Sequence, residues 1–218
     1  MSQEPGLRER KKLQTRLLLA DTARRLFAER GFDAVTVAEV ARSADVSQAT
    51  VFNYFPTKED LFFSGLEVFE EQLLSSVRER DPGEPAVAAF ARFVLAPRGL
   101  LAAKDPAAAE RMADIARVIT ESPALLAREQ SIFAGYTTSL ARLLAEETGA
   151  APGAVEPWVA ANALMGVHRA LVDFTRREVV AGTRNPQLGR RMRAEAKRAF
   201  AVLERGLATY AVKARTDG

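Results

Sequence analysis

The chain has 218 residues, 48% hydrophobic and 27% charged with a net charge of +3, enough apolar material for one large core or two smaller ones without staples. It contains no cysteine and one histidine, which excludes a disulfide framework, a thiolate metal site and a cysteine nucleophile, and makes the reducing cytoplasm the expected location. No stretch reaches the roughly 20 uninterrupted apolar residues of a membrane helix, so neither a span nor a leader is expected.

Helix signals follow one another from the start. Leu13, Leu17, Ala20, Ala23 and Phe27 recur at three- and four-residue steps and Gly31 supplies a stop, predicting a helix over 7–30. Thr36-Val37-Ala38-Glu39 is a capping box that opens a short helix ending near Ala44. After Asp45 and Val46, Ser47 caps a second short helix over 48–54, with Ala49, Val51, Phe52 and Phe55 as its apolar positions. Phe55-Pro56 breaks it, and Thr57-Lys58-Glu59-Asp60 opens a long helix expected to run to about Arg80, where Asp81-Pro82-Gly83-Glu84-Pro85 stops it. Further helices are predicted over 84–96, 106–121, 123–148, 157–181 and 186–213, four of them marked by a polar residue followed by proline. The expectation is an all-α fold of about nine helices.

Charge is unevenly laid out. Residues 1–60 hold 10 Lys/Arg against 9 Asp/Glu, residues 61–175 hold 10 against 15, and residues 176–218 hold 11 against 4. The arm Arg8, Arg10, Lys11, Lys12 and Arg16 could reach phosphates, whereas Arg190 to Arg198 reads as the wet face of an amphipathic helix.

Two short capped helices around a tight turn, with longer helices before and after, form the pattern of a helix-turn-helix. The second short helix must enter a major groove about 12 Å wide, so its outward positions need small or hydrogen-bonding groups. Gln48, Ala49, Thr50 and Asn53 supply them, while Thr36, Ser47, Tyr54 and Lys58 stand where phosphates would lie. Thr36 and Ser47 would be caps in any protein, and exposed amides are common, so these positions alone do not decide for DNA.

The run RRLFAERGFDAVTVAEVARSADVSQATVFNYFPTKEDL, residues 24–61, resembles the DNA-binding domain of the TetR family. Phe27, Gly31, Phe32, Thr36, Val37, Val40, Ala41, Val46, Ser47, Thr50, Phe52, Tyr54, Phe55, Lys58 and Leu61 stand at that family's signature positions. Asp45 departs from it, where glycine is common in the turn; aspartate tolerates the left-handed conformation at modest cost. The resemblance implies a DNA-binding domain over 1–56, a ligand-binding and dimerisation domain over 57–218, and DNA-contacting roles for Thr36, Ser47, Gln48, Ala49, Thr50, Asn53, Tyr54 and Lys58. It also implies double-stranded DNA as partner, a homodimer joined through the last two helices, and repression relieved by a small effector.

In the larger domain the family likeness places a ligand cavity, with Phe63, Leu66, Phe90, Phe93, Met112, Ile115, Ile119, Phe133, Tyr136, Met165 and His168 as candidate lining. Such a lining suits a lipophilic effector, although aromatic and aliphatic residues at helical spacing are ordinarily core, and His168 reads as a packed residue before a sensor. The stretch ITESPALLAREQ, residues 119–130, is similar to a TetR subgroup that binds acyl-CoA-like ligands. The stripes Trp158, Ala161, Leu164, Met165, His168, Leu171, Val172 and Met192, Ala196, Phe200, Leu203, Leu207, Tyr210 are expected to form the dimer face or to close the monomer's own core. No cofactor and no metal are expected, and the sequence offers no catalytic constellation. The rival to a DNA-binding regulator is a helical adaptor for a protein partner.

Overall fold

The computed structural model describes residues 6–103, 106–207 and 212. Among these residues it is all-α, with eleven helices: α1 (Leu7–Arg30), α2 (Val37–Ser43), α3 (Gln48–Tyr54), α4 (Lys58–Phe62), α5 (Leu66–Arg78), α6 (Ala86–Leu95), α7 (Gly99–Ala102), α8 (Pro106–Glu121), α9 (Pro123–Thr148), α10 (Glu156–Val180) and α11 (Gln187–Leu207). Two differences separate this from the nine helices read in the sequence. The long helix expected over 57–80 is two helices, because Gly65 takes φ +97° and ends the regular backbone after Phe62. A four-residue helix, α7, also lies in the stretch left without structure between 96 and 106. Tyr210, expected on the last helix, lies outside the described residues.

The chain forms two compact units. The first comprises residues 1–66 and 117–128, and the second residues 67–116 and 129–218. In the first, α1 packs on α2 and α4, and α2 packs on α3. Leu19, Ala20, Ala23 and Phe27 of α1 are fully buried with Val35, Val40 and Leu61, and the Phe27 ring meets Phe32 at 4.9 Å and Phe62 at 6.3 Å. Leu13 and Leu17, read as packing residues, are about half exposed, at 55% and 49%. Full burial on α1 begins only at Leu19; before it, Thr15 and Arg16 are half-buried and the other residues of the helix are exposed.

The connection between α8 and α9 belongs to the first unit. Arg117 Nη2 donates to the Ala28 carbonyl at 2.7 Å, Ser122 Oγ to Asp33 Oδ1 at 3.3 Å, and Arg128 to Asp60 Oδ1 at 2.6 and 3.1 Å. Ser122 caps α9 ahead of Pro123, as its sequence suggests: the Leu125 N–H donates to its hydroxyl at 3.4 Å.

In the second unit α11 packs on α10 and α6. Phe90 of α6 meets Phe200 of α11 at 6.1 Å, and Leu164, Met165 and Ala196 are within 1% of complete burial. Ala161, Leu164, Met165 and Leu171 on α10, and Met192, Ala196 and Phe200 on α11, are all buried within the monomer. These seven stripe residues therefore close the monomer's own core, whereas Trp158 of the same stripe is 46% exposed and His168, Val172 and Leu203 are half-buried. Arg80, 2% exposed, is held by Glu147 Oε2 at 2.7 Å and by donation to the carbonyls of Val77 and Glu84.

Candidate nucleic-acid interface

The turn between α2 and α3 is built by local chemistry. Thr36 Oγ1 accepts from the Glu39 N–H at 3.2 Å, while Glu39 Oε2 accepts from the Thr36 N–H at 2.8 Å and its hydroxyl at 2.9 Å. Those hydrogen bonds, with Arg30 Nη1 donating at 2.8 Å, hold the Glu39 carboxyl down at about 2. Asp45 takes φ +53°, the left-handed conformation that turns the chain, and the Val46 N–H donates back to the Ala41 carbonyl at 3.0 Å. Ser47 Oγ then caps α3, accepting from the Thr50 N–H at 3.0 Å and pairing with the Thr50 hydroxyl at 2.8 Å.

α3 is anchored by Val51 and by Phe55 just beyond it, each 1% exposed. Arg16 secures its far end: Nη1 donates to the Tyr54 carbonyl at 3.1 Å and the guanidinium lies 4.6 Å from the Phe55 ring centre. Ser47, Gln48, Ala49 and Asn53 are exposed, and Thr50 and Tyr54 are half-buried. Phe52, read as an apolar packing position, is 46% exposed beside them. The period of α3 explains this: with Val51 and Phe55 fixed inward four residues apart, Phe52 is rotated about 100° away from the core.

Lys58, at the start of α4, is turned inward. Its Nζ donates to the Phe32 carbonyl at 2.6 Å and lies 4.1 Å from the Phe32 ring centre; burial there lowers its pKa from the ordinary lysine value. Thr36 stands at the N-terminus of α2, so the eight residues read as DNA-contacting come from three successive helix starts and the body of α3.

This geometry has known relatives. The family model described as "Bacterial regulatory proteins, tetR family" matches residues 19–64, covering α2, α3, α4 and the C-terminal half of α1. The helix-turn-helix unit of this chain is thus similar to the DNA-binding domain of the TetR family. The regulator TcmR of Streptomyces glaucescens is 28% identical over 147 residues, 66% of this chain and 65% of TcmR, so the match spans just under two thirds of that relative. Among solved structures, NalD of Pseudomonas aeruginosa, described as the secondary repressor of the MexAB-OprM multidrug efflux pump, superposes with a TM-score of 0.53 at 20% identity over 89% of this chain and 96% of NalD. FadR of Bacillus subtilis, solved with stearoyl-CoA, gives 0.53 at 20% identity over 85% of this chain and 97% of its own. These two superpositions are a likeness of fold, and they extend it beyond the helix-turn-helix into the larger unit.

The residues read as a cavity lining are divided by the structure. Phe63, Leu66 and Ile119 belong to the first unit, as does most of the ITESPALLAREQ stretch. In the second, Phe90 packs on Phe200, and Met112 lies against the cluster of Ala116, Val179 and Leu188. Ile115 is half-buried and Met165 fully buried. Phe93, Phe133, Tyr136 and His168 are brought together around Phe69: its ring centre lies 5.3 Å from Phe93, 5.9 Å from Tyr136 and 5.3 Å from His168, and Phe133 meets His168 at 5.5 Å. Burial between these rings, with the charge of Arg169 adding to it, pushes the His168 imidazole down to about 4, so it is neutral near pH 7. Burial, with Glu70 and Glu67 adding to it, pushes the Tyr136 phenol up. Among the described residues no group of three or more metal-ligating side chains is found, and no helix is long and apolar enough to cross a membrane.

Proposed function

We propose that this protein is a transcriptional regulator of the TetR family, a dimeric repressor that reads a near-palindromic DNA site with α3 and leaves it when a small lipophilic molecule binds the larger unit. The observation carrying the DNA reading is the exposed face of α3, where Gln48, Ala49, Phe52 and Asn53 stand outward from a helix anchored by Val51 and Phe55. The two amides suit adenine edges and the alanine and phenylalanine surfaces suit thymine methyl groups. Thr36, Ser47, Thr50 and Tyr54 meet phosphates, and Lys58 joins them through donors not taken by Phe32. The protein is then a cytoplasmic binding protein and not an enzyme.

Exposed apolar and small groups on the last two helices support the dimer. On α10, Val159, Gly166, Ala170 and Val180 face outward, with Val159 and Val180 exposed by 61% and 62%; on α11, Val202 is 75% exposed. This is a different face from the core-closing stripes, and its small residues permit close helix approach. The aromatic cluster around Phe69 supports an apolar effector, and the relatives include a repressor of a drug efflux pump and a regulator solved with stearoyl-CoA. An acyl-CoA-like effector is the specific form of this reading.

Fluorescence anisotropy of a selected duplex against salt tests the reading. A steep linear loss of log affinity with log salt, and release by acyl-CoAs or other lipophilic molecules, is expected. An α-helical adaptor for a protein partner, the rival reading, would show little DNA binding and little salt dependence.

A further inference from the structure

Two arginines two turns apart on α10 face α9, which runs antiparallel to it. Arg176 meets Glu129 at 2.5 Å with both side chains nearly buried. The same register brings Arg169 opposite Thr137, a neutral hydroxyl, which accepts from Nη2 at 3.2 Å and donates to the Phe133 carbonyl at 2.8 Å. Arg169 Nε is the one buried side-chain nitrogen or oxygen among the described residues with no hydrogen-bond partner. Nor does any carboxylate among the described residues form an ion pair with Arg169, whereas Arg80 and Arg176 of this unit each have a glutamate and half-buried Arg98 donates to the Phe93 carbonyl.

Arg169 is half-buried, and a side chain whose Nε is shut off from water and kept only for packing would be placed against an acid or replaced by an apolar side chain of similar size. Arg169 has neither outcome. Its guanidinium lies 5.9 Å from the Phe133 ring centre, at the edge of the cluster formed by Phe69, Phe133, Tyr136 and His168. A planar cation with free N–H groups beside an aromatic surface matches a ligand that has an oxyanion at one end and an apolar body at the other.

We propose that Arg169, with Thr137 beside it, receives the anionic head of the effector, a carboxylate or phosphate, while the cluster around Phe69 takes its apolar body. This rests on the reading that the second unit holds an effector. It adds that the effector is an anion and names the group that selects it.

The test uses the full chain, stripped of bound small molecules, and the variants Arg169→Met and Arg176→Met. Calorimetry is run with dodecanoic acid, its methyl ester and dodecanoyl-CoA. Without ligand, Arg169→Met is expected to melt at or above the wild-type temperature, because a buried N–H without a partner is removed, while Arg176→Met melts several degrees lower because Glu129 is stranded. The wild type should bind an anionic probe at least tenfold tighter than the ester, and Arg169→Met should lose that preference while keeping ester affinity. Preference for the free acid assigns a carboxylate head, and preference for the CoA form a phosphate. Equal wild-type affinity for acid, CoA form and ester overturns the proposal and leaves the effector reading standing; no binding of any probe overturns both. The proposal also fails if Arg169→Met melts as low as Arg176→Met, or if it weakens the dimer without changing ligand preference, since Arg169 would then serve the fold or a carboxylate of the second copy.

Discussion

Arg128 and Asp60, 68 residues apart, share one carboxylate oxygen at 2.6 and 3.1 Å, and the other oxygen of Asp60 accepts from the Thr57 N–H at 3.0 Å. The acid that completes the cap of α4 thus also secures the start of α9 within the same unit. Arg128→Ala should cost about 0.5–1 kcal/mol, the ordinary worth of a partly exposed ion pair, and Asp60→Ala about 1–2 kcal/mol because the cap is lost with it. Urea unfolding of both single variants and the double variant checks this. The double variant should be no less stable than Asp60→Ala alone.

The turn before α3 makes a sharper demand on the backbone. Asp45 at φ +53° occupies a region that β-branched residues avoid. Asp45→Val should cost about 1–2 kcal/mol and weaken DNA binding with it, while Asp45→Gly should stay within about 0.5 kcal/mol of the natural chain. Equal stability of the valine and glycine variants would show that the turn does not depend on this conformation.

His168 gives a pH signature. Its folded pKa is about 4, against about 6.5 for a free histidine, so between those values the unfolded chain binds a proton that the folded chain refuses. Stability should therefore fall as pH drops from 6.5 toward 4, by about 2 kcal/mol between pH 7 and pH 5, with no contribution from this group above pH 7. His168→Gln should remove that part of the slope. Unfolding curves at both pH values for the two proteins measure it, and identical slopes would place the ring in water.

The first three helices were legible because their signals are local. Thr36 with Glu39, Ser47 with Thr50, and the stop at Gly31 each act within four residues, and the observed α1, Leu7–Arg30, has the predicted bounds. The break between α4 and α5 was not legible, since one glycine inside an apolar pattern is compatible with a continuous helix. Periodicity showed that α10 has an apolar face but could not say whether the monomer or a second copy covers it. It also left Phe52 among the packing residues, although neighbours fixed its face outward. Arg169 and Thr137 were invisible as a pair, because their meeting depends on the register of two antiparallel helices and not on spacing within either one. The link from Arg128 to Asp60 was hidden for the same reason.

The central claim, that α3 reads a specific DNA site, is tested most directly by selecting a random duplex library with the purified protein and with Gln48→Ala and Asn53→Ala. One near-palindromic sequence enriched by the natural chain is expected, with preference relaxed at a defined base pair in each half-site for each variant, at about 1–3 kcal/mol per lost amide contact. No enriched sequence, or the same preference in all three proteins, would contradict it.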